Sequence, residues 1–359
     1  MKQTINLRQA SCMAGILVFA NKVLVLPSLF YEKVGVDGIL LLVGMFLFDL
    51  TMISIFFKLK NKFPQMTFFE ILSRVITKYG AIIIYVLFCA FFVMKALTTY
   101  NVSLMYLKNQ VYFEAGEYIF LICFLTISNN LALRGLRSTA RTTEFFYLFV
   151  IFLILFSTYA SCVNFTSLPV LFTTPLNKLL SSSFSYIFCF GDTLFLFLIM
   201  DKIEMKDGKQ RTMYILVIVN MLLTFILHGV FFSVFKYSAF MHNNAASDVI
   251  TASNSFSSIG RIDIISVIVI MFLSFFQLSY YNIAFSASFS AIFPKGNKIF
   301  STVIYDLAFI LLLYFVITDY TKAFVVDFNI LPYFAVLLQY IIPILCLIGS
   351  FFIKRRVNE

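Results

Sequence analysis

The chain has 359 residues, of which 61% are apolar and only 12% are charged. A soluble globular domain carries about 25% charged residues, so this composition excludes a water-soluble fold and indicates a polytopic membrane protein. The formal net charge of +10 does not indicate nucleic-acid binding, because the basic residues collect in short segments between apolar stretches, where they set membrane orientation.

Ten apolar stretches are each long enough to cross a bilayer, which needs about 20 residues per helix. Open strands cannot satisfy their backbone groups in lipid, so these stretches are predicted to be helices. The predicted fold class is an all-α polytopic membrane protein with ten transmembrane helices. In chain order, the spans are predicted at residues 10–30, 38–57, 80–107, 116–133, 142–163, 180–200, 213–236, 262–290, 299–318 and 330–353.

The lysine and arginine residues predict the orientation of these spans. With the N-terminus inside, the cytoplasmic segments hold most of them, including Lys58, Lys60 and Lys62 after the second span. Such a bias towards one side is the usual sign of the cytoplasmic face. Both termini are therefore predicted to be cytoplasmic.

The loop lengths predict an internal repeat. The two longest loops, 58–79 and 237–261, each follow the second span of a five-span half, and they lie on opposite sides. Because five is an odd number, the second half enters the membrane in the opposite direction. The sequence thus predicts one transmembrane domain, residues 1–359, built as a 5+5 inverted repeat of about 7–163 and 177–353. Each loop is predicted to contain a short helix, the outer one capped by Asp248.

The first span is interrupted near its middle by Ala20, Asn21 and Lys22. A lysine at this depth costs several kcal/mol unless it is paired or hydrated, which makes it a candidate functional residue. Lys22 is interpreted either as a cation that holds a substrate carboxylate or fills the place of a coupling ion, or as a structural partner of an acidic residue.

The sixth span has a matching interruption at Phe190, Gly191 and Asp192. Breaks at equivalent places of two repeats are typical of the LeuT-like transporters, whose binding site lies at the bilayer midplane. Asp192 is the natural partner of Lys22. The alternative is a helix-packing glycine beside a buried ion pair.

Further polar residues lie within the spans. Lys95, Asp49 and Asp306 are candidates for the central cavity, and the sequence does not decide which of them face it. Gln277, Asn282 and Gln339 suit hydrogen bonds between helices. The stretch Gly260–Asp263 either gates or caps the eighth span. The predicted substrate-binding residues are Ala20, Asn21, Lys22, Lys95, Phe190, Gly191, Asp192 and Gln277.

Enzymatic and metal chemistry have no sequence signature here. The chain lacks the HExxH, GxSxG and P-loop motifs. Its six cysteines all lie in apolar spans without a CxxC pair, and two histidines cannot form a His-rich site. The protein is therefore predicted not to be an enzyme and to use no metal and no cofactor.

Four motifs in order carry a resemblance to a known family. They are the first-span segment Ala20–Pro27, the stretch Gly135–Glu144, the motif Phe190–Leu194 and the segment Gly260–Asp263. Together they resemble the spore-germination permeases, the B subunits (GerB-type) of nutrient germinant receptors in endospore-forming Firmicutes, within the amino acid–polyamine–organocation superfamily. One difference is that the family usually has Gly-x-Gly where this chain has Ala20, Asn21 and Lys22.

The resemblance implies a membrane subunit of the spore inner membrane that senses, and possibly transports, an amino acid or similar small solute. It implies an A-type membrane subunit and a C-type lipoprotein as partners, and a ligand between spans one, three, six and eight. The alternatives are a conventional amino-acid or cation transporter of the bacterial cell membrane, and a scaffold in which Lys22 and Asp192 seal the cavity. The ligand, net transport, a coupling ion and the assembly stoichiometry stay open.

Overall fold

The protein is described by a computed structural model. The described residues are 4–19, 22, 26–110, 116–162, 167, 170–205, 210–242, 248–249, 263–316 and 331–353.

The described residues of the first half of the chain are mostly helical. A short strand precedes the first helix, and seven helices follow. Their bounds are β1 Ile5–Asn6, α1 Leu7–Phe19, α2 Leu26–Val34, α3 Gly38–Lys62, α4 Phe68–Val75, α5 Lys78–Gln110, α6 Glu117–Leu133 and α7 Leu136–Cys162.

The described residues of the second half form one further short strand and seven helices. The bounds are α8 Leu176–Tyr186, α9 Leu194–Leu198, β2 Ile203–Glu204, α10 Gln210–Phe235, α11 Asp263–Ile292, α12 Lys298–Val316, α13 Leu331–Ala335 and α14 Ile342–Phe352. A π-helical segment, Val336–Ile341, joins α13 to α14 and was not predicted from the sequence.

The helices have the length and composition of a multi-pass membrane protein. Six described helices can cross a bilayer by these criteria, and the pair α6–α7, bent by 115°, would make a seventh. The interrupted spans fall below such a criterion because each consists of two short pieces. The count of ten therefore stays a prediction, and the all-helical membrane class is confirmed.

The sixth span contains an interruption at the expected position, and the predicted interruption of the first span lies mostly outside the described residues. In the sixth span, α8 continues as a 3₁₀ turn, Ile187–Cys189, and α9 starts only at Leu194. In the first span, α1 ends at Phe19 and α2 begins at Leu26; of the residues between them, only Lys22 is described.

The core lies around α1, α5 and α11. Every residue of α1 except Arg8 is buried, and α1 packs against α10 and α7. The most extensive helix contact joins α5 to α11. Large apolar side chains on the outer helices are exposed, for example Phe145, Leu148 and Phe152 on α7. In a membrane protein this exposed surface faces lipid, which is as apolar as the core.

At the α4 end of the molecule, hydrogen bonds to the backbone join segments that are distant in the sequence. The strands β1 and β2 pair in parallel, with Ile5 opposite Ile203 and Asn6 opposite Glu204. Near them, the buried Lys60 ammonium donates to the carbonyl oxygens of Pro64 and Met200, each at 2.7 Å. The chain ahead of α1 is thus tied to the segment that follows α9.

The predicted loop helices have different outcomes. The inner one is α4, which starts with a capping box in which Thr67 and Glu70 exchange side-chain-to-backbone hydrogen bonds. For the outer one, Asp248 and Val249 are described as helical, and residues 250–262 lie outside the described residues. The predicted motif Gly260–Asp263 falls mostly in that range as well.

Candidate functional site

The break in the sixth span is built on Gly191. Its φ of +74° is a left-handed conformation that residues with a Cβ adopt only at a cost. A Cβ at this position would also meet the side-chain oxygen Oε1 of Gln339 at 2.5 Å. The conformation therefore favours glycine, and a Cβ would in addition have to displace the Gln339 side chain. The turn that Gly191 makes presents the next side chain, Asp192, to the centre of the molecule.

Asp192 accepts hydrogen bonds from three side chains of other elements. Its Oδ2 atom lies 3.2 Å from Lys22 Nζ, and its Oδ1 atom lies 2.8 Å from Lys95 Nζ. The Tyr281 hydroxyl also donates to Oδ1, at 3.0 Å. Both carboxylate oxygens are therefore engaged, and one aspartate joins the first span, α5 and α11 to the break in the sixth span.

The two ammonium groups also bind main-chain oxygens. Lys95 Nζ donates to the carbonyl oxygens of Phe188 and Phe190, the latter at 3.2 Å. Lys22 Nζ donates to the carbonyl oxygen of Leu17 at 3.0 Å. Backbone groups released by the interruptions are thus satisfied by the same lysines that neutralise Asp192, as a non-aqueous environment requires.

A second carboxylate lies on the other side of Gly191. Asp49, on α3, accepts a hydrogen bond from the Gly191 backbone N–H through Oδ1 at 2.9 Å. It interacts electrostatically with Lys22, Lys95 and Asp192. Together, Lys22, Lys95, Asp49 and Asp192 form the "central cluster", which has two formal positive and two formal negative charges.

The central cluster is shielded from solvent and carries unused hydrogen-bonding capacity. Its four members are at most 4% exposed. Around it, several buried atoms have no hydrogen-bond partner among the described residues: Asp49 Oδ2, Thr193 Oγ1, Gln277 Oε1, both amide atoms of Gln339 and the Tyr340 hydroxyl. Such atoms are costly unless a polar group binds them, so they mark where a polar molecule would be held.

The structure brings together most of the residues predicted from the sequence. Lys22, Lys95 and Asp192 meet directly, and Phe190 and Gly191 provide the backbone around them. The predicted pairing of Lys22 with Asp192 is confirmed. Gln277 does not touch Asp192; its amide donates to the Tyr281 hydroxyl at 2.6 Å, which in turn binds Asp192. Ala20 and Asn21 lie outside the described residues.

From the sequence, one residue of the site, Tyr281, was missed, and another, Gln339, was given a different role. Tyr281 was not singled out, although it lies four residues after Gln277 and therefore on the same helical face. Gln339 was assigned to helix–helix bonding, whereas its side chain lies against Gly191. Its position depends on how the last span packs on the break, which no local pattern shows.

Asp306 belongs to a separate polar network. Its Oδ2 atom accepts a hydrogen bond from Asn129 at 2.7 Å, and Asn129 in turn accepts one from Asn282 at 2.8 Å. This network joins α6, α11 and α12. Of the three acidic and basic residues left open by the sequence, Lys95 and Asp49 lie in the central cluster, and Asp306 does not.

A cavity of about 600 Å³ opens at the α4 end of the molecule. Its walls include Glu70, Lys78, Tyr85, Asp201 and Ile283. Tyr85 precedes Lys95 on α5 by ten residues, a rise of about 15 Å at 1.5 Å per residue. No member of the central cluster lines this cavity.

Metal ligands do not gather in the part of the chain that the structure describes. There, no group of three or more His, Cys, Asp or Glu side chains could hold a metal ion.

Fold and site together define a multi-pass helical membrane protein with a transporter-like fold. The chain is similar to the solved structure of Mhp1, a nucleobase-cation-symport-1 family transporter in a closed conformation with bromovinylhydantoin bound. The TM-score is 0.63 at 8% sequence identity, and the match covers 94% of this chain and 75% of the other. At that identity the likeness shows the fold alone, which is that of the LeuT-like transporters.

The family is identified by the sequence. A family model described as "Spore germination protein" matches residues 4–324. The chain therefore belongs to the spore germination permease family. No curated protein matches it.

Proposed function

We propose that this protein is the membrane B subunit of a spore nutrient germinant receptor, and that its ligand binds beside the central cluster. The family membership supports a role in germination. The observation that carries the location is the buried cluster at the break of the sixth span, bordered by polar atoms without partners. In this proposal the ligand contacts Gln277 and Gly191 and lies beside Lys22, Lys95, Phe190 and Asp192; Ala20 and Asn21, also predicted from the sequence, lie outside the described residues.

The charge of the cluster supports a particular class of ligand. Two lysines and two aspartates already balance, so a bound anion or cation would leave a net charge in a region shielded from solvent, which is costly. A zwitterionic amino acid, or another neutral polar solute, adds no net charge. The partnerless atoms include both acceptors and donors, such as the amide of Gln339, and these suit an ammonium and a carboxylate on one ligand.

The test is Gln277→Met in spores, since methionine keeps the volume and removes the hydrogen-bonding atoms. We expect the germination response to the nutrient to be lost while the protein level and the melting temperature stay near those of the wild type. Asp306→Asn is the matched control, because it alters a partly buried polar residue outside the central cluster. A normal response of Gln277→Met would move the ligand away from this cluster.

A conventional solute transporter is the second candidate. The cavity at the α4 end favours it, because a transporter needs access to its site from one side at a time. The fold of a cation symporter supports it as well. Purified protein in liposomes would distinguish the two functions: a receptor binds the nutrient without net flux, and a transporter shows both. A scaffold would show neither.

The proposed receptor subunit lies in the spore inner membrane with both termini in the cytoplasm, and acts with an A-type membrane subunit and a C-type lipoprotein. In this orientation the 58–79 loop is inside and the 237–261 loop is outside. Single cysteines introduced as Ser73→Cys and Ser255→Cys in a cysteine-free background would be treated with an impermeant thiol reagent on intact cells. Labelling at position 255 alone is expected, and labelling at position 73 alone would reverse the orientation.

A further inference from the structure

The two lysines of the central cluster bind main-chain oxygens at corresponding places in the two interrupted spans, Lys22 from the first span itself and Lys95 from α5. Leu17, whose carbonyl oxygen binds Lys22, lies two residues before the end of α1. Phe188 and Phe190, whose carbonyl oxygens bind Lys95, lie at the end of the first half of the sixth span. Each ammonium is therefore placed at the C-terminal end of a half-helix.

A C-terminal helix end attracts cations for two reasons. Its last carbonyl oxygens have no partner within the helix, and the aligned peptide dipoles give it a partial negative charge. In membrane proteins with interrupted helices, such ends and the unwound carbonyls beside them coordinate dissolved cations. Here three such carbonyl oxygens, those of Leu17, Phe188 and Phe190, already bind ammonium groups attached to the chain.

The oxygens around Lys95 resemble the surroundings of a bound ion. Two main-chain carbonyls and one carboxylate oxygen converge on Nζ, and the ring of Phe188 lies 4.6 Å from it. The same Asp192 carboxylate reaches Lys22 with its second oxygen. A dissolved cation at this place would have to displace a tethered ammonium or raise the positive charge of the buried cluster.

We propose that Lys95 and Lys22 act as tethered cations that replace a dissolved sodium or potassium ion at the helix breaks. The protein then keeps its central architecture and binds its solute without such an ion. The inference concerns the cluster proposed above as the ligand site, and it holds for a receptor and for a transporter. Its test measures stability without the nutrient, so its failure is distinguishable from failure of the proposed function.

The first measurement uses the wild-type protein in detergent at constant ionic strength. The melting temperature is compared in sodium chloride, potassium chloride and choline chloride. A tethered cation predicts equal melting temperatures in all three salts. A rise of about 2 °C or more in sodium or potassium over choline would overturn the proposal, since ligand binding to the folded state raises the melting temperature.

The second measurement creates a place for a free cation. Lys95→Ala removes the ammonium and its stem and leaves Asp192 and the carbonyls of Phe188 and Phe190. We expect a lower melting temperature, and a recovery of about 2 °C or more on addition of ethylammonium chloride but not of choline chloride. Leu97→Ala is the matched control, because it opens a buried space on the same helix.

The outcomes of this second measurement are distinct. If ethylammonium raises the melting temperature of Lys95→Ala but not that of Leu97→Ala, the result supports a cation-binding site at the helix break. A folded Lys95→Ala protein that ethylammonium does not stabilise would overturn the proposal, as would equal stabilisation of both variants. If Lys95→Ala does not fold, the wild-type comparison of the three salts still decides.

Discussion

Asp192 and Asp306 both lie within the spans of this protein, under opposite conditions. Asp192 is 4% exposed, and its two oxygens bind two ammonium groups and a phenol hydroxyl. Asp306 is only partly buried, and its one described hydrogen-bond donor is the neutral side chain of Asn129. The first is held by compensating charge, and the second by amide hydrogen bonding at the edge of the helix bundle.

The difference shows how burial depth selects the partner. A fully buried ion must be paired, because losing its hydration costs several kcal/mol. A partly buried carboxylate loses less of its hydration, so hydrogen bonds from neutral groups can hold it. The central cluster is therefore a unit whose members depend on one another, and the Asp306 network should tolerate the loss of its charge. Each of the following variants tests that contrast.

The largest effect is expected from Asp192→Asn. It leaves two buried lysines without their carboxylate, and removal of one partner from a buried ion pair costs about 3–5 kcal/mol. Lys22→Met and Lys95→Met should each cost less, because Asp192 then keeps one ammonium partner. Melting curves in detergent should rank Asp192→Asn lowest, and a ranking with either lysine variant below it would contradict the shared-carboxylate geometry.

The next effect concerns the coupling between charges. Lys22→Met combined with Asp192→Asn leaves Lys95 and Asp49, which still balance. The double variant should therefore be more stable than Asp192→Asn alone, by about 1–3 kcal/mol, as expected for contacting residues. Additive loss in the double-mutant cycle would mean that the two side chains do not share an interaction.

A smaller loss is expected from Gly191→Ala. A non-glycine residue in the left-handed region costs about 1–2 kcal/mol, and the added Cβ must also displace the Gln339 amide. Gly44→Ala is the control, because a Cβ there meets no atom within 4 Å. Combining Gly191→Ala with Gln339→Ala should recover only the part of the loss due to contact. Thermal unfolding of the wild type, Gly191→Ala, Gln339→Ala and their combination separates the cost of the backbone conformation from the cost of the contact with Gln339.

The smallest effect is expected from Asp306→Asn. The substitution keeps the shape and removes a charge that has no cationic partner among the described residues, so we expect a change within about 1 kcal/mol. A destabilisation as large as that of Asp192→Asn would show that Asp306 is compensated by a group outside the described residues, and the contrast between the two carboxylates would fail.

Much of the fold was predictable because lipid imposes simple rules on sequence. The lengths of the apolar stretches predict the helices. The interruption at Phe190, Gly191 and Asp192 was visible as a glycine and a charged residue within an apolar span. The helix ends were less predictable: α7 begins at Leu136, before the predicted start of its span at residue 142. Polar residues at a helix start carry no apolar signal, so only backbone hydrogen bonding defines such a boundary.

The residues of the candidate site were predictable where a charged residue interrupts an apolar span. Lys22, Lys95 and Asp192 are conspicuous because ionised groups are rare in a membrane span. Tyr281 and Gln339 were not conspicuous, since tyrosine and glutamine are ordinary at helix contacts. Their roles come from the helices that carry them, which pack against the break from two sides.

The sequence by itself determined the membrane class, the position of the two interruptions and the need for a partner to each buried charge, because the cost of polar groups in lipid depends on residue type alone. Only the tertiary structure decided that one carboxylate serves two lysines, that those lysines also bind the ends of the half-helices, and that Asp306 lies elsewhere. These facts depend on which helix faces touch, and residues 22, 95 and 192 meet only after the chain has folded.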